Sequence, residues 1–376
     1  MLFEKLNELP SPCHVIDIDK VKGNIKTLEL LRKKTNLTLL FAIKGFSNPE
    51  ILKHFISRFD GISASGLWEA RLGQELFALP IHTFSPAYQS KNFSSICCYS
   101  DYIIYNSINQ WERFGEIALS HNISCGVRIN PEYSEVEKYA INPCHYASRF
   151  GVHPYDLEKI NFSKIKGLHF HTMCEQYSKT FLNTLNIIEK DFGKYLHQVE
   201  WLNIGGGQFF CDEEYQLQEA IYAINKIQSK YDLKIIAEPC ETIMSETGYF
   251  IATVTDIVYN NMHTAILDAS AICHLPDIVY SPYRCDVLNA AEANKKKYTY
   301  RLAGSTCYAG DIFGDYSFDI PLEVGTKIVF LDTAPYSMVK SNVFNGIPLP
   351  TYVSLINSNT LTVEKDYDYN VFQMII

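Results

Sequence analysis

A (β/α)8 barrel followed by an all-β domain is the fold class this 376-residue sequence predicts, on three observations. Eight apolar, β-branched runs recur at intervals suited to intervening helices, at 37–43, 60–65, 81–85, 102–106, 123–129, 165–171, 200–204 and 233–238. After about residue 248 the texture changes to runs joined by loops with few helical patterns: Phe250–Tyr259, His263–Asp268, Thr299–Ala303, Lys327–Asp332 and Thr351–Ile356. Several barrel runs also end in polar or glycine-rich residues, at the rim where a barrel places its chemistry.

The length exceeds that of a typical single core and calls for two domains, or for one barrel plus an appendage. The expected division is a barrel over 20–248 and a β-domain built from 1–19 and 249–376. Cys13–Ile18 precedes the barrel and is expected to add a strand to that β-domain. Asn48-Pro49-Glu50 opens a helix, with proline in its first turn and Ile51, Leu52 and Phe55 along one face. Asp212 is expected to cap another, in which Tyr215, Ile221, Ile224 and Ile227 recur at roughly helical spacing. Lys295-Lys296-Lys297 reads as a solvated loop.

A hydrophobic fraction of 47% and a charged fraction of 20% describe an ordinary globular protein. The net charge of −9, from 33 basic against 42 acidic residues, disfavours nucleic acid or an anionic membrane as a partner. The same field favours cationic ligands. The N-terminus carries no basic region followed by an apolar stretch, and no run approaches the length of a membrane span. Eleven cysteines without a CxxC pair read as reduced thiols of a cytoplasmic protein, not as a disulfide or zinc framework, so no metal is expected.

The ends of the barrel runs carry the chemistry. Lys44 closes Leu39-Leu40-Phe41-Ala42-Ile43, and a lysine desolvated at such a rim offers its neutral amine to an aldehyde cofactor as a Schiff base. A lysine that merely ends a strand in solvent is the alternative. Gly205-Gly206-Gly207 ends the seventh run, where converging backbone N–H groups suit a phosphate; a tight turn is the other reading. Glu238 ends the very apolar eighth run and needs a partner, either a protonated pyridine nitrogen or a basic residue of a neighbouring strand. His171 ends the sixth, placed to stack on a flat cofactor or to be a satisfied core histidine.

Lys44, His171, the triglycine, Glu238-Pro239, Gly304-Ser305-Thr306-Cys307 and Phe344-Asn345-Gly346, in that order, resemble the fold type III pyridoxal-phosphate decarboxylases of the ornithine, arginine and diaminopimelate group. Further stretches, including His169–Glu175, Leu267–Asp277, Gly304–Asp311 and Tyr336–Gly346, are similar to the carboxynorspermidine (carboxyspermidine) decarboxylase branch. The resemblance implies pyridoxal 5'-phosphate bound to Lys44, Glu238 on the pyridinium, His171 on the ring, Gly206 and Gly207 on the phosphate, and a Tyr336 hydroxyl added there. It also implies that Cys307 returns a proton to the substrate α-carbon across a dimer interface, and hence a homodimer with shared sites. The alternative for Cys307 is a small buried hydrophobe, as most free cysteines are.

Substrate choice rests on charge. Enzymes that grip a distal carboxylate need arginine, and in diaminopimelate and ornithine enzymes the Glu-Pro motif continues with Gly-Arg. Here it continues Cys240-Glu241, and the resemblance places Asp277 and Asp311 in active-site segments, so Glu241, Asp277 and Asp311 are the candidate contacts for a cationic carboxy-polyamine. Cys240 in the usual glycine position puts a backbone contact to phosphate in doubt. Arg284 is placed either to bind a distal carboxylate, as for diaminopimelate, or to pair within the β-domain. An inactive regulatory homologue would be expected to lack Lys44 or Cys307, and a racemase would set arginine, not Glu238, against the pyridine nitrogen.

Overall fold

The computed structural model describes residues 5–376, which divide into two compact units. Strand β1 (Cys13–Asp17) comes first, followed by eight strands that close a barrel. These are β2 (Thr38–Ala42), β3 (Gly61–Ala64), β4 (Ile81–Phe84), β5 (Tyr102–Tyr105), β6 (Ser124–Arg128), β7 (Gly167–His169), β8 (Trp201–Asn203) and β9 (Lys234–Ala237). Each pairs in parallel with the next, and β2 returns to β9 through Thr38–Ile236 and Leu39–Ala237. All eight fall inside the expected runs and are shorter, because the apolar sequence continues past the last ladder bond into the rim turns.

Barrel strands are buried on both faces, which is why they read as nearly unbroken apolar runs. Leu40, Ile104, Trp201 and Ile236 come from β2, β5, β8 and β9, yet pack as one cluster, as side chains in a barrel interior do. Trp201 fills the space that Gly126 and Gly167 leave open. A Cβ at Gly126 would lie 2.2 Å from the indole and one at Gly167 2.0 Å from it. The indole N–H donates to Ser124 Oγ at 3.0 Å.

The barrel unit comprises 24–45 and 56–243; the second unit takes the described residues up to Gly23, then Phe46–Phe55 and Met244–Ile376. Its strands are β1 with β10 (Gly248–Tyr259), β11 (His263–Leu267), β12 (Ala291–Glu292), β13 (Tyr298–Ala303), β14 (Ile312–Phe318), β15 (Lys327–Leu331), β16 (Thr351–Ile356) and β17 (Thr360–Lys365). They form one mixed sheet in the order β12-β14-β13-β11-β10-β1-β16-β17, with β15 also on β10. β1 lies inside it, antiparallel to β10 and parallel to β16. Phe250, Leu267, Leu302, Phe313, Tyr316 and Phe330 are central to its core.

Three local expectations are corrected. Phe46–Phe55 falls in the sheet unit, outside the barrel that was expected to contain it. Asn48 Oδ1 caps a single turn, Pro49–Leu52, and Lys53 and His54 then reach Glu364 on β17 at 3.1 and 2.8 Å. Asp212 does not cap the later helix, which runs Leu217–Tyr231 with Gln216 at its N-cap; the carboxylate instead accepts the Glu214 amide in a preceding turn. Ile221, Ile224 and Ile227 do form its buried stripe. β14 and β17 had gone unrecognised, the first because Gly314-Asp315 breaks its apolar pattern and the second because it is largely exposed.

Gly167→Ala should destabilise the protein by about 1–3 kcal/mol, the usual cost of overpacking a core, because the methyl has only the indole and strand backbone to displace. Urea denaturation checks this, and Gly23→Ala, with nothing within 4 Å of the added carbon, is the control.

Candidate active site

Glu238 lies just beyond β9, half-buried, with both carboxylate oxygens held by neutral donors. Ser63 Oγ on β3 donates to one at 2.8 Å and Asn203 Nδ2 on β8 to the other at 2.6 Å. No ion pair reaches it among the described residues, so the expected alternative of a basic partner is not what the structure shows. Its oxygens are oriented by neutral donors, with no cation in contact among the described residues, which suits a cationic ring nitrogen.

Lys44 sits two residues past β2, half-buried in a turn closed by the Gly45 amide on Ala42 O at 3.2 Å. Cys240 is buried against this turn, where burial first and the Glu241 carboxylate second push its thiol up, opposed by Lys44 and a hydrogen bond with the Gly45 backbone. Glu241 opens the short helix Glu241–Met244. It also adds to the burial that holds the Cys174 thiol up to about 12.

The triglycine makes a cradle that side chains would fill. Gly205 and Gly207 have φ of +65° and +89°, and a Cβ at Gly206 would meet Glu238 O at 2.5 Å and one at Gly207 Met173 O at 2.1 Å. Asn203 Oδ1 accepts the Gly205 amide at 2.9 Å, and His171 Nδ1 accepts that of Gly206 at 3.2 Å. The Gly207 amide has no hydrogen-bond partner among the described residues. Burial, with Lys44 and Arg128 as positive neighbours, holds the His171 ring well below the usual histidine range, so it is neutral. Cradle, lysine, neutral imidazole and a carboxylate held by neutral donors together fit pyridoxal 5'-phosphate.

Two residues of this rim escaped the sequence reading. Arg128, ending β6, is 4% exposed, with its guanidinium 4.8 Å from the Phe84 ring and 4.5 Å from that of Phe150. It donates to His171 O at 3.2 Å. His169 on β7 is buried with neither ring nitrogen hydrogen-bonded, and burial, then Arg128, keeps it neutral. The signal was available for Arg128: a charged residue ending an apolar run, as at Lys44.

In the sheet unit, three loops carrying the other candidates are laced together. The Cys307 amide donates to Asn345 Oδ1 at 2.9 Å, and its side chain is exposed, against the reading of a buried hydrophobe. Asn342 bonds Ile272 O and Cys273 O at 2.7 and 3.1 Å. Tyr336, at φ +61°, has its ring 4.8 Å from Lys340 Nζ, and that ammonium reaches both Asp277 oxygens at 2.7 Å. Arg284 pairs with Asp286 at 3.0 Å and lies 4.5 Å from the Tyr316 ring, engaged within its own unit.

Asp311 corrects an expectation. It is 3% exposed and spends its oxygens on the loops, accepting the Ala271 amide at 2.7 Å and the Thr306 hydroxyl at 2.7 Å. It braces the Cys307 segment; it is not placed to take a substrate ammonium. Asp311→Ala should therefore lower stability by about 1–3 kcal/mol, the cost of leaving a buried donor unpaired. Chemical denaturation measures this, and unchanged stability with a raised KM would restore the substrate role.

A family model described as "Pyridoxal-dependent decarboxylase, C-terminal sheet domain" matches residues 14–334. The carboxynorspermidine/carboxyspermidine decarboxylase of Campylobacter jejuni is 34% identical, with both chains covered in full. The carboxyaminopropylagmatine decarboxylase of Synechocystis is 37% identical over 98% of this chain and 96% of the other. The crystal structure of the C. jejuni carboxynorspermidine decarboxylase complexed with norspermidine superposes with a TM-score of 0.91 at 33% identity, covering 98% of this chain and 100% of that one. The likeness runs through barrel and sheet alike, and the chain belongs to the pyridoxal-dependent decarboxylases.

Proposed function

We propose that this decarboxylase takes carboxynorspermidine or carboxyspermidine and releases carbon dioxide with norspermidine or spermidine, in polyamine biosynthesis in the cytoplasm. The observation that carries the reading is full-length likeness to the C. jejuni enzyme, whose crystal structure holds norspermidine. Local charge agrees: Glu241 stands where an arginine would favour a distal carboxylate. No helix among the described residues is long and apolar enough to cross a membrane.

When bound, pyridoxal 5'-phosphate supplies an electron sink for the bond pair released as carbon dioxide leaves. Lys44 holds the cofactor aldehyde through its amine. Glu238, fixed by Ser63 and Asn203, keeps a proton on the ring nitrogen. His171 presents a neutral ring to the cofactor face, oriented by the Gly206 amide. Gly207 and Tyr336 hold the phosphate, with Gly206 contributing backbone while its own amide serves His171. Cys307 delivers the proton that replaces the carboxyl group, from the second copy of a homodimer. Glu241 attracts the polyamine arm.

A second reading follows from the Synechocystis relative, whose substrate name denotes a guanidinium in place of a terminal ammonium. The two differ only at the far end, where an acidic pocket accepts either cation. A carbon dioxide release assay with carboxynorspermidine, carboxyspermidine, carboxyaminopropylagmatine, ornithine, arginine and diaminopimelate separates them. The proposal expects kcat/KM for a carboxy-polyamine at least about tenfold above the rest, with the norspermidine and spermidine homologues within the roughly 1–3 kcal/mol that one methylene supplies. Preference for diaminopimelate would overturn it.

Borohydride should fix the cofactor to Lys44 alone, as peptide mapping will show. Exchanging subunits between Lys44→Ala and Cys307→Ala proteins should restore about a quarter of wild-type turnover, since half the dimers are mixed and each then holds one intact site. No activity after confirmed exchange would refute the shared site.

A further inference from the structure

β6, β7 and β8 are in register at the rim, with Arg128 opposite His169 and His169 opposite Asn203. Two residues earlier on the same strands stand Gly126, Gly167 and Trp201, where the indole fills the barrel interior beside both glycines. Side chains two apart on a strand share a face, so Arg128, His169 and Asn203 form the next interior layer. Asn203 closes one end of that layer on Glu238 at 2.6 Å. At the other end Arg128 makes one side-chain hydrogen bond among the described residues, to His171 O at 3.2 Å, and no carboxylate among them pairs with it. His169 lies between, 3% exposed, its ring 5.5 Å from that of Phe84 and neither nitrogen hydrogen-bonded among the described residues. Burial, then Arg128, His171 and Lys44, holds that ring well below the usual histidine range. It therefore carries one N–H and one lone pair, both unspent.

A buried imidazole that spends neither nitrogen, beside a buried guanidinium without an acid, is costly unless an anionic acceptor completes the pair. Pyridoxal 5'-phosphate brings one. Its ring carries a hydroxyl beside the aldehyde, and a proton on the ring nitrogen makes that hydroxyl acidic enough to stand as an oxyanion. Lys44, Glu238 and the triglycine account for the aldehyde, the nitrogen and the phosphate, and leave that oxygen unassigned. We propose that His169 binds the ring oxygen of the cofactor, donating a ring N–H to it, while the Arg128 guanidinium on the neighbouring strand supplies the compensating positive charge. One layer of the barrel then takes both charged positions of the ring, Glu238 the nitrogen and His169 with Arg128 the oxygen. This rests on the reading above that Lys44 and Glu238 hold the cofactor.

The test is equilibrium binding to the full-length protein, read by dialysis, of pyridoxal 5'-phosphate and of its analogue with hydrogen in place of the ring hydroxyl. His169→Phe keeps a flat ring without a donor. It should raise the Kd for the cofactor about tenfold or more, the loss of a hydrogen bond to a charged group, and leave that for the analogue within about twofold. His169→Gln, which retains an N–H, should recover most of the difference. Absorbance of the bound cofactor should follow the same order, with His169→Phe losing the long-wavelength form whose ring oxygen is ionised. Thermal melting identifies misfolding, and His169→Leu replaces the phenylalanine variant if that ring is not tolerated. An unchanged cofactor Kd overturns the proposal. So does equal weakening for cofactor and analogue, which would assign His169 to packing alone, and so does equal affinity of the wild type for the two ligands. Borohydride labelling of a lysine other than Lys44 would instead refute the underlying placement of the cofactor.

Discussion

The two hydrogen bonds on Glu238 organise the barrel rim. Ser63 and Asn203 donate to opposite carboxylate oxygens, and each is itself fixed by a barrel strand, so the acid's orientation is set by three strands at once. Asn203 extends the arrangement by accepting the Gly205 amide, and the glycine turn extends it again through His171. Carboxylate, cradle and imidazole thus share one hydrogen-bonded frame. Neutral donors matter here. An arginine or lysine in either place would pair with the acid and leave less negative charge for a cationic ligand.

Positive charge is arranged around that acid without touching it. Arg128 spreads its charge over two aromatic faces, and Lys44 sits in its own turn. Burial first, and then these two charges, hold His171 and His169 neutral. The barrel therefore fixes protonation states by geometry and burial together.

The barrel strands were legible because strands buried on both faces give continuous apolar runs, and the lysine, triglycine and acid that end three of them stood out for the same reason. The sheet was harder to read. Gly314-Asp315 interrupts β14, and the exposed β17 offers no apolar face to detect. Asp212 looked like a cap because the apolar spacing extends back to Tyr215, but the chain spends those residues on a turn. Asp311 shows the limit for site residues: an acid in a polar loop has the same sequence whether its oxygens face a ligand or the loop's own amides. Glu364 gathering Lys53 and His54 onto β17 is a long-range pairing that no local pattern encodes.

The sheet's composition bears on how the chain comes to exist at all. β1 precedes both of its partners in the chain: β10, where Cys13 meets Ile251, and β16, where it meets Thr351. At synthesis rates of about 5–20 residues per second, it waits on the order of 10–50 s for its first neighbour. Because 46–55 also belongs to the sheet unit, neither unit is a continuous stretch of chain that a truncation could isolate. Loop closures over such separations are entropically slow. During that interval β1 has both edges unpaired, and such an edge is a template for association with other chains.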